Sequence, residues 1–437
     1  RIFIENCVLI IKQLPIVLLK RLLCIAKKSE LIKIGRKRMI ISKFTIISIC
    51  LYAITFLNIR YFSGYYIVRD ACIAVVAIYL FLNIKQIYRK CSKGIVATIL
   101  LFIGLLSVSF YFNYESAKPH RNDLIVFSIS LLEIFMCLSF NSDKNRMSEL
   151  IDVFYKLQLF FVLLNDMLVF ATPDLVAKYN ECYLLGDKFT VGYQHILLIG
   201  LLLTRVAMRG KKINTNVIMK IIGLALLTFS VATVTNSATS LVLIPLFALF
   251  VILKAKAHSF IYSKVGYMTI LTLSTLFVVF YGVVLNIAPV QLLITKVLGR
   301  SPTLTARTMI YALVPTLLEG KLLWGYGYGT SYDLMFSQYY FPNTQNGILE
   351  WIWQGGAFAA IVLIIIIGNL VKYVKENSRQ SGKYKYLYAI ACVFAVISSI
   401  EIIINLQYLT LLIIVYYLSK SSSNGAVEIL EEDILIV

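Results

Sequence analysis

Charge is what this sequence has least of. Of its 437 residues only 15% are Asp, Glu, Lys or Arg while 59% are hydrophobic, and the mean hydropathy is +0.81. A soluble domain needs more polar surface than this composition supplies, so a polytopic membrane protein is expected. Acidic residues are the scarcer charged kind, 22 against 42 basic ones. In a soluble protein the resulting +20 would point to nucleic acid. Here the basic residues occupy short loops between apolar runs, where they act as topology signals and contact anionic lipid, and no nucleic-acid partner is implied. No Cys-x-x-Cys pair occurs among Cys7, Cys24, Cys50, Cys72, Cys91, Cys137, Cys182 and Cys392. Neither a disulfide framework nor a zinc site is therefore implied. Also missing are a nucleophile triad, a phosphate loop and a metal cluster, and no cofactor is expected. The chain lacks a cleavable signal-peptide pattern, which it does not need if its first spanning helix serves as the insertion signal.

Long apolar runs are abundant. A helix of about 20 apolar residues crosses the hydrocarbon core, and on that criterion the fold is all-α, a polytopic integral membrane protein with about 12 transmembrane helices. The expected spans are 40–59, 66–84, 94–112, 123–140, 150–170, 191–208, 217–234, 237–254, 264–286, 348–371, 384–401 and 403–419. The last two are separated only by the neighbourhood of Glu401 and should form a tight hairpin. With the N-terminus inside, the cytoplasmic loops hold 19 lysines and arginines and the longer outer ones only 10. Both termini then lie in the cytoplasm. One long extracytoplasmic loop, 287–347, joins spans 9 and 10, and it is longer than a connection requires.

Three domains are expected: a basic segment 1–38, a membrane domain 39–419 and a tail 420–437. In the first, Lys12, Pro15, Lys20 and Arg21 interrupt an apolar pattern before a basic collar from Lys27 to Arg38. It is either an interfacial amphipathic helix or an upstream extension, since Met39 opens a good first span. The tail begins in a polar run at Ser421 and carries Glu428, Glu431, Glu432 and Asp433, which fits a mobile cytoplasmic end.

The long loop holds most of the candidate chemistry. Thr305 can cap a helix running to about Leu318, which puts Arg307 and Tyr311 on one face, and Pro315 should kink or end it. Gly325, Gly327 and Gly329 alternate with Tyr326 and Tyr328. The backbone there can turn tightly and approach a ligand closely while presenting two rings, a platform suited to sugars. The same pattern also fits a plain interfacial turn with aromatic anchors, and a lone loop arginine is usually solvated or bound to lipid phosphate. Within the spans, Glu133 and Asp166 are costly to bury as charges and attract a functional reading.

The order Arg307, Tyr311, Glu319, Gly325-Tyr326-Gly327-Tyr328-Gly329, Asn346-Gly347-Ile348-Leu349 and Gly355-Gly356 resembles the late loop of the polytopic O-antigen and capsular polysaccharide polymerases of the Wzy type, which are grouped with the O-antigen ligases. Two further stretches are similar to that family: Leu185-Gly186-Asp187-Lys188-Phe189 with Tyr193 and His195, and Asn236-Ser237-Ala238-Thr239-Ser240. The chain departs from the family pattern at Gln345, where ligases carry a histidine. A mechanism that needs an imidazole there does not carry over, although His195 could supply one.

The resemblance implies an inverting, metal-independent glycosyl transfer outside the cytoplasm, in a bacterial cytoplasmic membrane. A growing glycan leaves one undecaprenyl diphosphate carrier and joins a lipid-linked repeat unit. Implied partners are that lipid-linked oligosaccharide, the bilayer, and a chain-length regulator and flippase of the same pathway. Arg307 is the first choice to hold the departing diphosphate, because its planar guanidinium stays protonated; Arg300 and Lys188 are further cationic candidates. Glu319, Asp187, Asp333 and Glu350 are the carboxylates that could take a proton from the acceptor hydroxyl. Gln345 could hydrogen-bond that hydroxyl, and Tyr311, Tyr326, Tyr328, Asn346 and the three glycines would line the site. A ligase for the same glycan is the nearer alternative. A flippase or other transporter is the other, although no internal repeat of the transporter kind is apparent.

Overall fold

The computed structural model describes residues 32–34, 37–39, 42–59, 64–142, 144–171, 182–256, 260–297, 307–374 and 383–434. Among these residues the regular structure is helical apart from two short antiparallel pairings, Ile32–Ile34 with Lys37–Met39 and Cys182–Tyr183 with Gly186–Asp187. The longer helices are α1 (Lys43–Thr55), α2 (Tyr65–Leu82), α3 (Lys93–Phe112), α4 (Arg121–Phe140), α5 (Lys144–Ala171), α6 (Lys188–Met208) and α7 (Thr215–Val234). They continue with α8 (Ala238–Lys256), α9 (Lys264–Leu285), α10 (Arg307–Leu318), α11 (Ser331–Tyr339), α12 (Gly347–Leu370), α13 (Lys385–Ile397) and α14 (Leu406–Ile434).

Polar residues at the edges of apolar runs start several of these helices by capping their free N–H groups. Ser42 accepts from the Thr45 amide at 3.0 Å, Asp187 from Thr190 at 2.7 Å and Ser263 from Gly266 at 3.0 Å. Eight helices, α2 to α7, α9 and α12, are long and apolar enough to cross a membrane. All eight fall on expected spans, and a multi-pass membrane protein follows. The other four expected spans overlap α1, α8, α13 and α14, which are not among these eight. α1 and α13 have 13 residues each, or roughly 20 Å at about 1.5 Å per residue, against about 30 Å of hydrocarbon. The physical reason is local: α1 starts only at its Ser42 cap, and α13 stops where residues 398–405 leave the helix around Glu401. α8 contains Pro245.

In the basic segment, residues 1–31, where the amphipathic helix is expected, lie outside the described residues, and Ile32–Ile34 of the collar pair antiparallel with Lys37–Met39, Lys33 opposite Arg38. At the other end, α14 runs without a break through the polar run at Ser421 to Ile434.

The chain divides into two compact units, residues 1–89 with 140–241, and residues 90–139 with 242–437. In the first, a relay of buried side chains ties three helices. Tyr52 on α1 donates to the Gln158 amide oxygen on α5 at 2.9 Å, Gln158 donates to Gln194 on α6 at 2.6 Å, and Gln194 donates to the Phe56 carbonyl at 3.0 Å. In the second unit, α12 is central. Trp351 packs against Phe102 of α3 and Phe127 of α4, and its indole donates to the Ile404 carbonyl at 2.6 Å. Between α9 and α12, residues 307–346 are folded, with Ile310, Tyr311, Leu317, Leu318 and Met335 buried in one cluster with Leu349 and Trp353 of α12.

Candidate functional site

Arg307 is the first residue of α10 and Tyr311 lies one turn later, so both side chains leave the same face. That face meets the turn between α13 and α14. The Arg307 guanidinium donates through Nε to the Ile400 carbonyl at 2.9 Å and through Nη2 to the Glu401 carboxylate at 2.5 Å. The pair is largely out of water, with side-chain exposures of 13% and 8%. The Tyr311 hydroxyl lies 2.9 Å from the carbonyls of both Gln345 and Ser399, which share its single proton. Burial pushes the Tyr311 phenol above its ordinary pKa, with the nearby Arg307 charge opposing and Glu401 adding to the rise. The hydroxyl therefore stays a donor.

Asn346 joins the same group from the start of α12. Its side-chain oxygen caps the helix, accepting from Ile348 at 3.1 Å and Leu349 at 3.0 Å, while its amide donates to the carbonyls of Ser399 at 3.2 Å and Ser274 at 3.3 Å. One fully buried residue thus satisfies both ends of a helix junction. Replacing Asn346 with alanine is expected to destabilise the protein by about 1–2 kcal/mol from the cap alone, with more from the orphaned carbonyls. The midpoint of thermal unfolding in detergent should fall accordingly. An unchanged midpoint would contradict the capping role.

Gln345 takes a left-handed backbone, φ +53°. Its side chain folds back to donate to Asn343 Oδ1 at 2.5 Å, and it contributes its main-chain carbonyl to Tyr311. Glu350, one turn into α12, is buried and held by three donors: Ser331 at 2.9 Å and Thr344 at 2.8 Å on one oxygen, Gln354 at 2.8 Å on the other. A carboxylate so engaged fixes the loop to the helix. Glu319 lies exposed past the end of α10. Arg300 and the expected Thr305 cap lie outside the described residues.

The glycine run docks on a break in α12. Gly356 has φ +77° and ψ 178°, a region open essentially to glycine alone. The interrupted helix exchanges its bonds with the loop: the Ala357 amide donates to Leu322 at 2.8 Å, and the Trp353 carbonyl accepts from Tyr326 at 2.7 Å. A Cβ at Gly325 would come within 2.4 Å of the Trp353 carbonyl. Here the close approach that glycine permits is to this chain's own helix. Tyr326 stacks on Trp353 with ring centroids 4.2 Å apart and donates to the Leu317 carbonyl. Tyr328 packs beside Phe127 and Trp351. At Gly329 a Cβ would meet the His120 ring, whose Nε2 is 2.9 Å from Asp333.

His195 belongs to the other unit and forms a second cluster. Its Nδ1 donates to the Val191 carbonyl at 2.8 Å, so Nε2 faces the Asp166 carboxylate, 3.0 Å away, with one proton between them. Both side chains are buried. Asn165 accepts from the Leu185 amide at 3.2 Å, which straps the segment before α6 over this pair. Lys188, at the start of α6, has its ammonium over the Phe189 ring, and Asp187 is spent on capping. Glu133 is buried in α4, and neither of its oxygens has a hydrogen-bond partner among the described residues.

The structure therefore brings together Arg307, Tyr311, Gln345 and Asn346, and adds Glu401 and the carbonyls of residues 399 and 400. Sequence reasoning noted Glu401 only as a separator of spans. Its signal was there, as the one acidic residue of an otherwise apolar stretch from 384 to 419. Comparison with protein-family models, curated proteins and solved structures finds no match to this chain.

Proposed function

We propose that this protein is a membrane glycosyltransferase that polymerises undecaprenyl-diphosphate-linked oligosaccharide repeat units on the extracytoplasmic face. The single observation that carries the reading is convergence: Arg307, Tyr311 and Asn346, separate elements of the motif order, meet at the turn 398–401. In this reading the chain makes twelve crossings with both termini inside, the shorter apolar helices completing the set, and the α9–α12 segment faces outward. Arg307 supplies the fixed positive charge that a departing diphosphate needs, and Glu401 orients its guanidinium. Glu350, buried and held by Ser331, Thr344 and Gln354, fastens the loop to α12.

Deletion of the gene followed by analysis of cell-surface glycan tests the proposal. Loss of long chains with accumulation of single lipid-linked repeats is the expected result. Precursor retained on the cytoplasmic face would make the protein a flippase, and normal polymer missing from its final acceptor would make it a ligase. Unaltered glycan would overturn all three.

A further inference from the structure

The first unit carries a concentration of positive charge that the proposed reaction does not use. Two turns into α5, the Asp152 carboxylate is shared by three cations. Oδ1 accepts from Arg205 Nε and Arg209 Nη2, each at 2.5 Å, and Oδ2 from Lys156 at 2.7 Å. One negative charge thus holds three positive ones. Further along, Lys211 and Lys212 are exposed, and no acidic residue occurs anywhere from 188 to 220. The nearest carboxylate on α5, Glu149, is one turn away and is occupied by the hydroxyls of Ser42, at 2.5 Å, and Thr45.

Cations gathered this closely repel one another unless a further anion joins them. The arrangement is also built to receive one. Arg205 is fixed between Asp152 and the Tyr155 ring, 4.8 Å from its centroid. Arg209 remains 44% exposed and Lys156 64%. Asp152 lies about two turns into α5 and Arg205 in the last turn of α6, two helices long enough to cross a membrane. Where these helices cross a membrane, this end meets the lipid headgroups.

We infer that Arg205, Arg209 and Lys156, oriented by Asp152, form a binding site for the headgroup phosphate of an anionic membrane phospholipid. Guanidinium forks match a phosphate's oxygens in pairs, and Asp152 sets them in place before the lipid arrives.

Native mass spectrometry of the full chain in detergent, with equal amounts of dioleoyl phosphatidylglycerol and dioleoyl phosphatidylcholine, tests this. The phosphatidylglycerol adduct should be retained preferentially. Arg209→Ala should weaken it about fivefold, and the Arg205→Ala/Arg209→Ala pair roughly 25-fold. Arg209→Lys and Asp152→Asn, which keep all the positive charge, should still retain phosphatidylglycerol, so a general loss of fold is told apart from loss of the site. Equal retention of the two lipids, or an Arg209→Ala adduct as stable as the parent's, overturns the inference. Displacement of the lipid by millimolar inorganic phosphate also overturns it, since the site would then serve a free anion.

Discussion

Arg307→Ala is expected to remove long glycan chains and leave single lipid-linked repeats. The same change breaks the buried ion pair with Glu401, and removing one member of such a pair costs about 3–5 kcal/mol. Loss of polymer in the single variant could then reflect loss of protein, so the informative comparison is with Arg307→Ala/Glu401→Ala, which removes both charges. Stability, read as the unfolding midpoint in detergent and the amount of protein in the membrane, should recover in the double variant. Polymer should not, because the guanidinium assigned to the diphosphate is gone. Arg307→Lys keeps the charge but loses the planar fork that reaches both Ile400 and Glu401. Its rate should fall on the order of a hundredfold, as when one preorganised donor is removed. Wild-type chain lengths from the double variant would reduce Arg307 to a strut between α10 and the 398–401 turn.

The second large effect is at Gly356. A methyl group there would sit 1.9 Å from the Leu323 carbonyl oxygen and 2.5 Å from the Trp324 nitrogen, both main-chain atoms that cannot rotate away. Its backbone conformation alone costs a non-glycine residue about 1–3 kcal/mol. Gly356→Ala should therefore separate the glycine run from α12, releasing the Tyr326–Trp353 and Ala357–Leu322 hydrogen bonds. Folded protein should fall below detection in the membrane fraction. Gly104→Ala on α3 is the control, since nothing lies within 4 Å of the added carbon, and it should be neutral or stabilising by up to about 1 kcal/mol. Equal yields of the two variants would contradict the docking.

Much of the architecture was legible because it depends on local rules. Eight long apolar runs are helices where hydropathy places them. Arg307 and Tyr311 share a face because of helical spacing, and Asn346 caps α12 from just before an apolar run. The shorter elements were not legible, because a hydropathy window counts apolar residues whether or not the backbone stays helical, and at 398–405 it does not. The partners of the site residues were equally hidden. Nothing near Arg307 in the chain announces Glu401, and the alternating Gly/Tyr pattern reads the same whether its rings await a sugar or, as Tyr326 does, lie against Trp353.

The break in α12 carries a consequence for biosynthesis. The donor and acceptor of its one broken rung, the Ala357 amide and the Trp353 carbonyl, are satisfied by residues 322 and 326, which precede it in the chain. When α12 emerges during translation, the segment that completes it has already been made. The helix can thus close onto a waiting template, with no need to recruit a strand of chain still to come. The partner and the break are parted only by α11, its flanking turns and the first turns of α12, so the loop closed is short and its entropic cost small.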